Sequence, residues 1–224
     1  MAIQENAALI SVLIVEDNPG DLFLLEETLR LTKLSFEHVY KATSAAEAIV
    51  ALNKYPISLV LLDLSLPDSS GFNSYIQVHE YADTIPIIVL TGLADTELAL
   101  ETMAKGAQDY MVKGEYDGRL LAKSIQYSIE RNRIRLSLLE SNESYRNLFF
   151  NNPLPIFIWD MNTLAILECN EMAQEEYGYT YEELLQMSVT DIRSEKDNDK
   201  LLAFAKEFRE TAILKRSDVW KHRK

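Results

Sequence analysis

At 224 residues, 47% of them apolar and 25% charged, the chain has room for one large globular domain or two smaller ones. A formal net charge of -13 argues against nucleic acid as the main partner, because phosphate backbones are held by basic stripes. The lone cysteine, Cys169, has no partner for an internal disulfide. Met1 to Ala8 lacks the basic segment and apolar core of a signal peptide, and no apolar run approaches a membrane span, so a cytoplasmic protein is expected.

The first strand is predicted over Leu9 to Val15 and runs straight into Glu16-Asp17, followed by Asn18-Pro19-Gly20-Asp21. Pro19 suits the opening of a helix, where its missing N–H costs little, and Leu22, Phe23, Leu25 and Leu29 give that helix an apolar face through Leu31. A second strand follows over Phe36 to Lys41. Ser44 then reads as an N-cap, with Glu47 completing a capping box on a helix that Pro56 stops. The apolar run from Ile57 to Leu62 reads as a strand buried on both faces, and it ends in Asp63 before Pro67 and the turn Asp68-Ser69-Ser70-Gly71.

A helix over Gly71 to Tyr81 leads to a fourth strand, Ile85 to Leu90, which ends in Thr91-Gly92. Another helix, Asp95 to Lys105 with Gly106 as C-cap, leads to a fifth strand, Gln108 to Val112, ending in Lys113-Gly114. Strands alternating with helices predict an α/β fold with a doubly wound parallel sheet in the flavodoxin-like order 2-1-3-4-5.

In such a sheet the strand ends share one edge, where ligands bind. That edge gathers Glu16, Asp17, Asp63, Thr91 and Lys113. Taken singly, each has a plainer explanation: a strand-end Asp is commonly a turn residue, a lone Lys a solvated one, and Tyr110 a packing aromatic. Together they suit a specific chemistry. Three carboxylates in close quarters repel unless a divalent cation lies among them, and oxygen ligands with open water positions suit Mg²⁺. Lys113 and Thr91 would hold the oxygens of a phosphoryl group, and Asp63 would be the nucleophile that forms an aspartyl phosphate.

On Glu16-Asp17, Asp63 within Asp-Leu-Ser-Leu-Pro-Asp, Thr91-Gly92 and Lys113, residues from about 9 to 130 resemble a response-regulator receiver domain. The resemblance implies that Asp63 takes phosphate from a histidine kinase or a histidine phosphotransfer protein, with Mg²⁺ on Asp17 and Asp63 supported by Glu16. It further implies that Thr91 moves toward the phosphoryl group and that Tyr110 turns inward as the second switch residue. Gly114 stands where many members carry a cis-proline.

Past Asp117 the helical pattern continues. Ile125, Ile129, Asn132, Leu136 and Leu139 recur in steps of four and three, which predicts a dimerising coiled-coil seam with Asn132 fixing its register. Asn151 to Pro155 marks a boundary. A hairpin follows, Ile156 to Trp159 and Leu164 to Glu168 across the turn Asp160-Met161-Asn162-Thr163. Helices are expected over Asn170 to Tyr177, Tyr181 to Gln186 and Asp197 to Ala212, with a strand near Asp218. On Ser144 to Phe149, Asn152-Pro153, Cys169-Asn170 and Tyr177 to Leu184, this part resembles a PAS sensory domain. The PAS ligand stays open: Cys169 reads as a small half-buried residue, and the helix after Asp197 holds no histidine.

The expected organisation is a receiver over 8–118, a helical connector over 119–148 and a PAS domain over 149–224 that is incomplete at its C-terminal end. The expected function is two-component phosphorelay signalling, by a dimerising receiver that relays its phosphorylated state through the connector helix to a PAS sensor. The alternative is the N-terminal part of a hybrid histidine kinase with its kinase core beyond residue 224. Only self-catalysed phosphorylation and dephosphorylation of Asp63 is expected as enzymatic activity. A kinase would need a glycine-rich nucleotide loop, which seven glycines do not supply, and a carboxylate-nucleophile phosphatase would want an Asp at Ser65.

Overall fold

The computed structural model describes residues 9–92 and 96–211. The chain divides into two compact units, Met1–Leu138 and Leu139–Lys224. The first unit carries the strands β1 (Ile10–Val15), β2 (Phe36–Ala42), β3 (Leu59–Asp63), β4 (Ile87–Thr91) and β5 (Asp109–Val112). Between them run the helices α1 (Pro19–Leu31), α2 (Ala45–Lys54), α3 (Phe72–His79) and α4 (Thr96–Ala104). The sheet is parallel in the order β2-β1-β3-β4-β5, as the alternation of strands and helices predicts.

Every residue of β3 and β4 is buried, because helices cover both faces of the sheet. Alternate residues feed two separate cores. Leu13, Val60, Leu62 and Val89 meet Ala48, Tyr75 and Val78 on one face, while Ile14, Leu59, Leu61 and Ile88 meet Leu25 and Leu29 on the other. Register then sets the chemical edge. Val15 pairs with Leu62 and Asp63 with Leu90, so Glu16 emerges beside Asp63. Thr91 pairs with Val112, so Lys113 emerges beside Thr91.

The capping box predicted for α2 forms only in half. Ser44 Oγ accepts from Glu47 N at 3.2 Å, but Glu47 Oε2 accepts from Thr43 N at 2.8 Å instead of from Ser44. Both oxygens of Asp68 take up the slack, accepting from Ala45 N at 2.9 Å and Ala46 N at 3.0 Å. This ties the turn after β3 to the start of α2 and satisfies two otherwise orphaned donors.

The long helix α5 spans Gly118–Phe150. It starts hard against the end of α1: a Cβ on Gly118 would lie 2.8 Å from Leu31 Cβ. The predicted coiled-coil seam needs correction. Ile125 is fully buried in the sheet-facing core and Ile129 packs against that core. Asn132 is buried and donates from Nδ2 to Thr84 O at 2.8 Å, while Arg135 donates to Asp83 O at 2.8 Å. The first three seam positions thus serve the chain's own sheet and the α3–β4 turn. A step of four and three marks an apolar helix face but does not say whether the facing element is a second helix or a sheet. Of the last two seam positions Leu136 is half-buried and Leu139 exposed, and Tyr127, Ile134 and Leu138 are exposed apolar residues of the same stretch.

The second unit contains the predicted hairpin, β6 (Phe157–Trp159) against β7 (Ile166–Cys169), antiparallel with Phe157 opposite Cys169. Asp160 Oδ1 shapes its turn, accepting from Asn162 N at 2.8 Å and Thr163 N at 2.7 Å. The helices α6 (Glu171–Tyr177), α7 (Tyr181–Leu185) and α8 (Glu195–Thr211) follow. Thr180 and Glu183 form a complete capping box on α7. Ile166, Ala173, Leu184, Val189, Ile192 and Leu201 make a small core in which Cys169 is a buried member, its thiol pushed up in pKa by burial. The strand predicted near Asp218 lies outside the described residues. Among the described residues, no helix is long and apolar enough to cross a membrane.

Candidate active site

The strand-end residues converge as the register requires. Asp63 closes β3 at 4% exposure, and Glu16, one residue past β1, is 1% exposed. Lys113, one residue past β5, reaches back across the edge. Its Nζ lies 2.7 Å from Glu16 Oε2 and 3.0 Å from Asp63 Oδ2. Its backbone N–H donates to Thr91 O at 2.8 Å, and Gly114 beyond it adopts φ +81°, a left-handed conformation open to glycine without strain. That is how this chain turns where relatives of the resembled family carry a proline.

Burial raises the pKa of the Asp63 carboxyl, opposed by the Lys113 ammonium and by the N–H groups of Ser65 and Leu64. Burial likewise raises Glu16, again opposed by Lys113, while the neighbouring Asp63 charge pushes it up further. Burial alone would lower Lys113, but the carboxylates Glu16, Asp21 and Asp63 outweigh it and raise the amine well above its ordinary value. At neutral pH a charged lysine therefore faces two desolvated carboxyls.

Glu16, Asp17 and Asp63 each place a carboxylate oxygen within 4.8 Å of the others. Asp17 is exposed, so a cation there keeps access to water. Glu16 Oε1 accepts from Asn18 N at 3.1 Å, and the buried Glu16 Oε2 has the Lys113 amine at 2.7 Å as its counter-charge. Hard oxygen donors and an open solvent side fit Mg²⁺. Thr91 is 1% exposed at the same edge, with its hydroxyl donating to Gly92 O at 3.2 Å. Tyr110 is half-buried and packs against the core on the α2–α3 face.

One residue escaped the strand-end reasoning. Asp21 Oδ2 accepts from Lys113 Nζ at 3.0 Å, as a third carboxylate on the amine. The signal was present in Asn18-Pro19-Gly20-Asp21: an N-cap followed by Pro places Asp21 in the first turn of α1, just above the edge.

A family model described as the response regulator receiver domain matches residues 12–126. A second, described as the PAS fold, matches residues 143–218. The transcriptional regulatory protein YvrH of Bacillus subtilis (strain 168) is 30% identical over 146 residues, covering 65% of this chain and 58% of that protein. The cell cycle transcriptional regulator CtrA of Caulobacter vibrioides (strain NA1000 / CB15N) is 31% identical over 112 residues, covering 50% of this chain and 47% of that protein. The chain thus spans about half the length of these curated relatives. The solved signal receiver domain of an HD domain-containing protein from Pseudomonas fluorescens Pf-5 is 22% identical. It covers 58% of this chain and 93% of its own with a TM-score of 0.51, a likeness of fold.

Proposed function

The chain belongs to the response regulator receiver family, and we propose that it accepts a phosphoryl group on Asp63 from a histidine kinase or a histidine phosphotransfer protein. The observation that carries this reading is Asp63 itself: a buried carboxylate at a strand end, 3.0 Å from a lysine amine and within 4.8 Å of two further carboxylate oxygens. An Asp63 oxygen attacks the phosphorus of a phosphohistidine. The new P–O bond forms as the P–N bond breaks, and the electron pair of the P–N bond leaves with the imidazole, which departs neutral because its other ring nitrogen carries a proton. Mg²⁺, when bound by Glu16, Asp17 and Asp63, supplies the positive charge that lets an anionic donor approach this acidic edge. Lys113 exchanges its Asp63 contact for a phosphoryl oxygen. The Thr91 hydroxyl, released from Gly92 O, donates to another.

Labelling of the full chain with acetyl phosphate, followed by mass spectrometry, tests this reading. One phosphoryl group is expected on Asp63 in Mg²⁺, with none in chelator and none in Asp63→Asn. Label that persists in Asp63→Asn overturns it.

In this reading the phosphorylated state passes along α5 to the PAS fold, in a cytoplasmic two-component protein. Self-association through α5 belongs to the same reading, on the residues its own sheet leaves open. Ile134 is 58% exposed and Leu138 is 70% exposed, four residues apart on one helix face. Sedimentation at tens of micromolar is expected to show a dimer that Ile134→Glu with Leu138→Glu converts to monomer. A wild-type monomer, or a dimer indifferent to both charges, counts against it.

A further inference from the structure

Asp21 belongs neither to the metal-binding trio nor to a strand end, yet it takes a full share of the Lys113 amine. Its place is built into α1. Asn18 Oδ1 caps the helix, accepting from Gly20 N at 2.8 Å and from Asp21 N at 3.4 Å. Asp21 Oδ2 then lies 3.0 Å from Lys113 Nζ, the same distance as Asp63 Oδ2 on the other side. With Glu16 Oε2 at 2.7 Å, three carboxylates surround an amine that has three hydrogens to donate. A cavity of about 370 Å³ opens at this point, lined by Asp21, Leu24, Thr28, Lys113 and Tyr116, and gives the lysine side chain room on the Asp21 side.

Resting on the phosphoacceptor reading above, we propose that Asp21 is a positioning residue that draws the Lys113 amine partly off Asp63 and Glu16, easing metal entry and restraining phosphoryl transfer. The ammonium and a divalent cation compete for the same Glu16 and Asp63 oxygens. A third carboxylate that shares the ammonium leaves those oxygens freer for the cation. Once a phosphoryl group arrives on Asp63, the demands reverse. Its oxygens need the same amine, and Asp21 both competes for it and sets a negative charge two hydrogen bonds away. Removing that charge therefore moves the two steps in opposite directions. A side chain that merely supported the fold would depress both.

The test uses the full chain with Asp21→Asn and Asp21→Glu. Calorimetric titration with Mg²⁺ is expected to show about three- to tenfold weaker binding in Asp21→Asn. Labelling by acetyl phosphate at saturating Mg²⁺ is expected to run about three- to tenfold faster, the size of one unit charge acting over roughly 5 Å in a largely aqueous dielectric. Asp21→Glu should restore both values toward wild type. Unchanged or tighter Mg²⁺ binding in Asp21→Asn overturns the proposal, and so does a labelling rate no higher than wild type. Wild type without any Asp63-dependent label would sink the phosphoacceptor reading instead, and the Mg²⁺ titration alone would then decide the role of Asp21.

Discussion

Replacing Lys113 by methionine is expected to destabilise the metal-free first unit by about 2–4 kcal/mol at neutral pH, because it strands buried carboxylates without their counter-charge. Glu16 and Asp63 side chains are 1% and 6% exposed, so water replaces the lost amine poorly. Their carboxyls already have raised pKa values through burial, against the pull of Lys113, and losing that pull raises them further. A carboxyl whose folded pKa exceeds its unfolded one binds more protons folded than unfolded. The stability this confers is complete below the ordinary carboxylate pKa and is lost as pH rises through the raised value. The deficit of Lys113→Met should therefore be largest at pH 8 and shrink toward pH 5, and Mg²⁺ should offset part of it. In wild type the raised Lys113 keeps its proton below its ordinary pKa, so its contribution fades only in strong alkali. Chemical denaturation at the two pH values, read by hydrogen exchange in β1 and β3, measures the effect. A deficit that grows on acidification contradicts the charge assignment.

Substituting Asn170 by alanine is expected to cost the second unit about 3 kcal/mol, a large part of the stability of so small a core. Asn170 is fully buried and its amide organises the segment around it. Oδ1 accepts from Ile156 N at 2.8 Å and from Ala173 N at 3.0 Å, joining the entry to β6 with the first turn of α6. Nδ2 donates to Leu154 O at 2.8 Å and to Phe149 O at 3.1 Å, fixing the turn after α5. Alanine takes the side-chain partner from Ile156 N, Leu154 O and Phe149 O, where the desolvation cost is not returned, while Ala173 N keeps its bond to the backbone O of residue 170 at 3.1 Å. Hydrogen exchange on the full chain should show β6, β7 and α6 losing protection while β1, β3 and β4 keep theirs. Equal protection in the variant and wild type would show that other contacts hold this segment.

The regular elements were legible because their determinants are local. Continuous apolar runs marked β3 and β4, Pro19 marked the start of α1 through its missing N–H, and Ser44 marked that of α2 through a hydrogen bond made within one turn. Reasoning of this kind failed where the partner lay far along the chain. Glu47 had to choose between the amides of Ser44 and Thr43, and Asp68, more than twenty residues away, supplied the donors' other acceptors. Ile125, Ile129 and Asn132 carried a helical period that fits a second helix and a sheet equally well; the sheet's core took the two isoleucines and the α3–β4 turn took Asn132.

By itself, the sequence determined the alternation of strands and helices, hence the parallel sheet, and with it the edge on which Glu16, Asp63, Thr91 and Lys113 had to meet. Period and strand-end position are properties of the backbone, and they carry over to any chain that folds this way. Which carboxylates the lysine pairs with was decided only in three dimensions. Asp21 joins Glu16 and Asp63 on the amine because the Asn18 cap sets it in the first turn of α1, where the lysine reaching back across the edge meets it. No spacing in the chain encodes that distance, since Asp21 and Lys113 are brought together by the packing of α1 on the sheet.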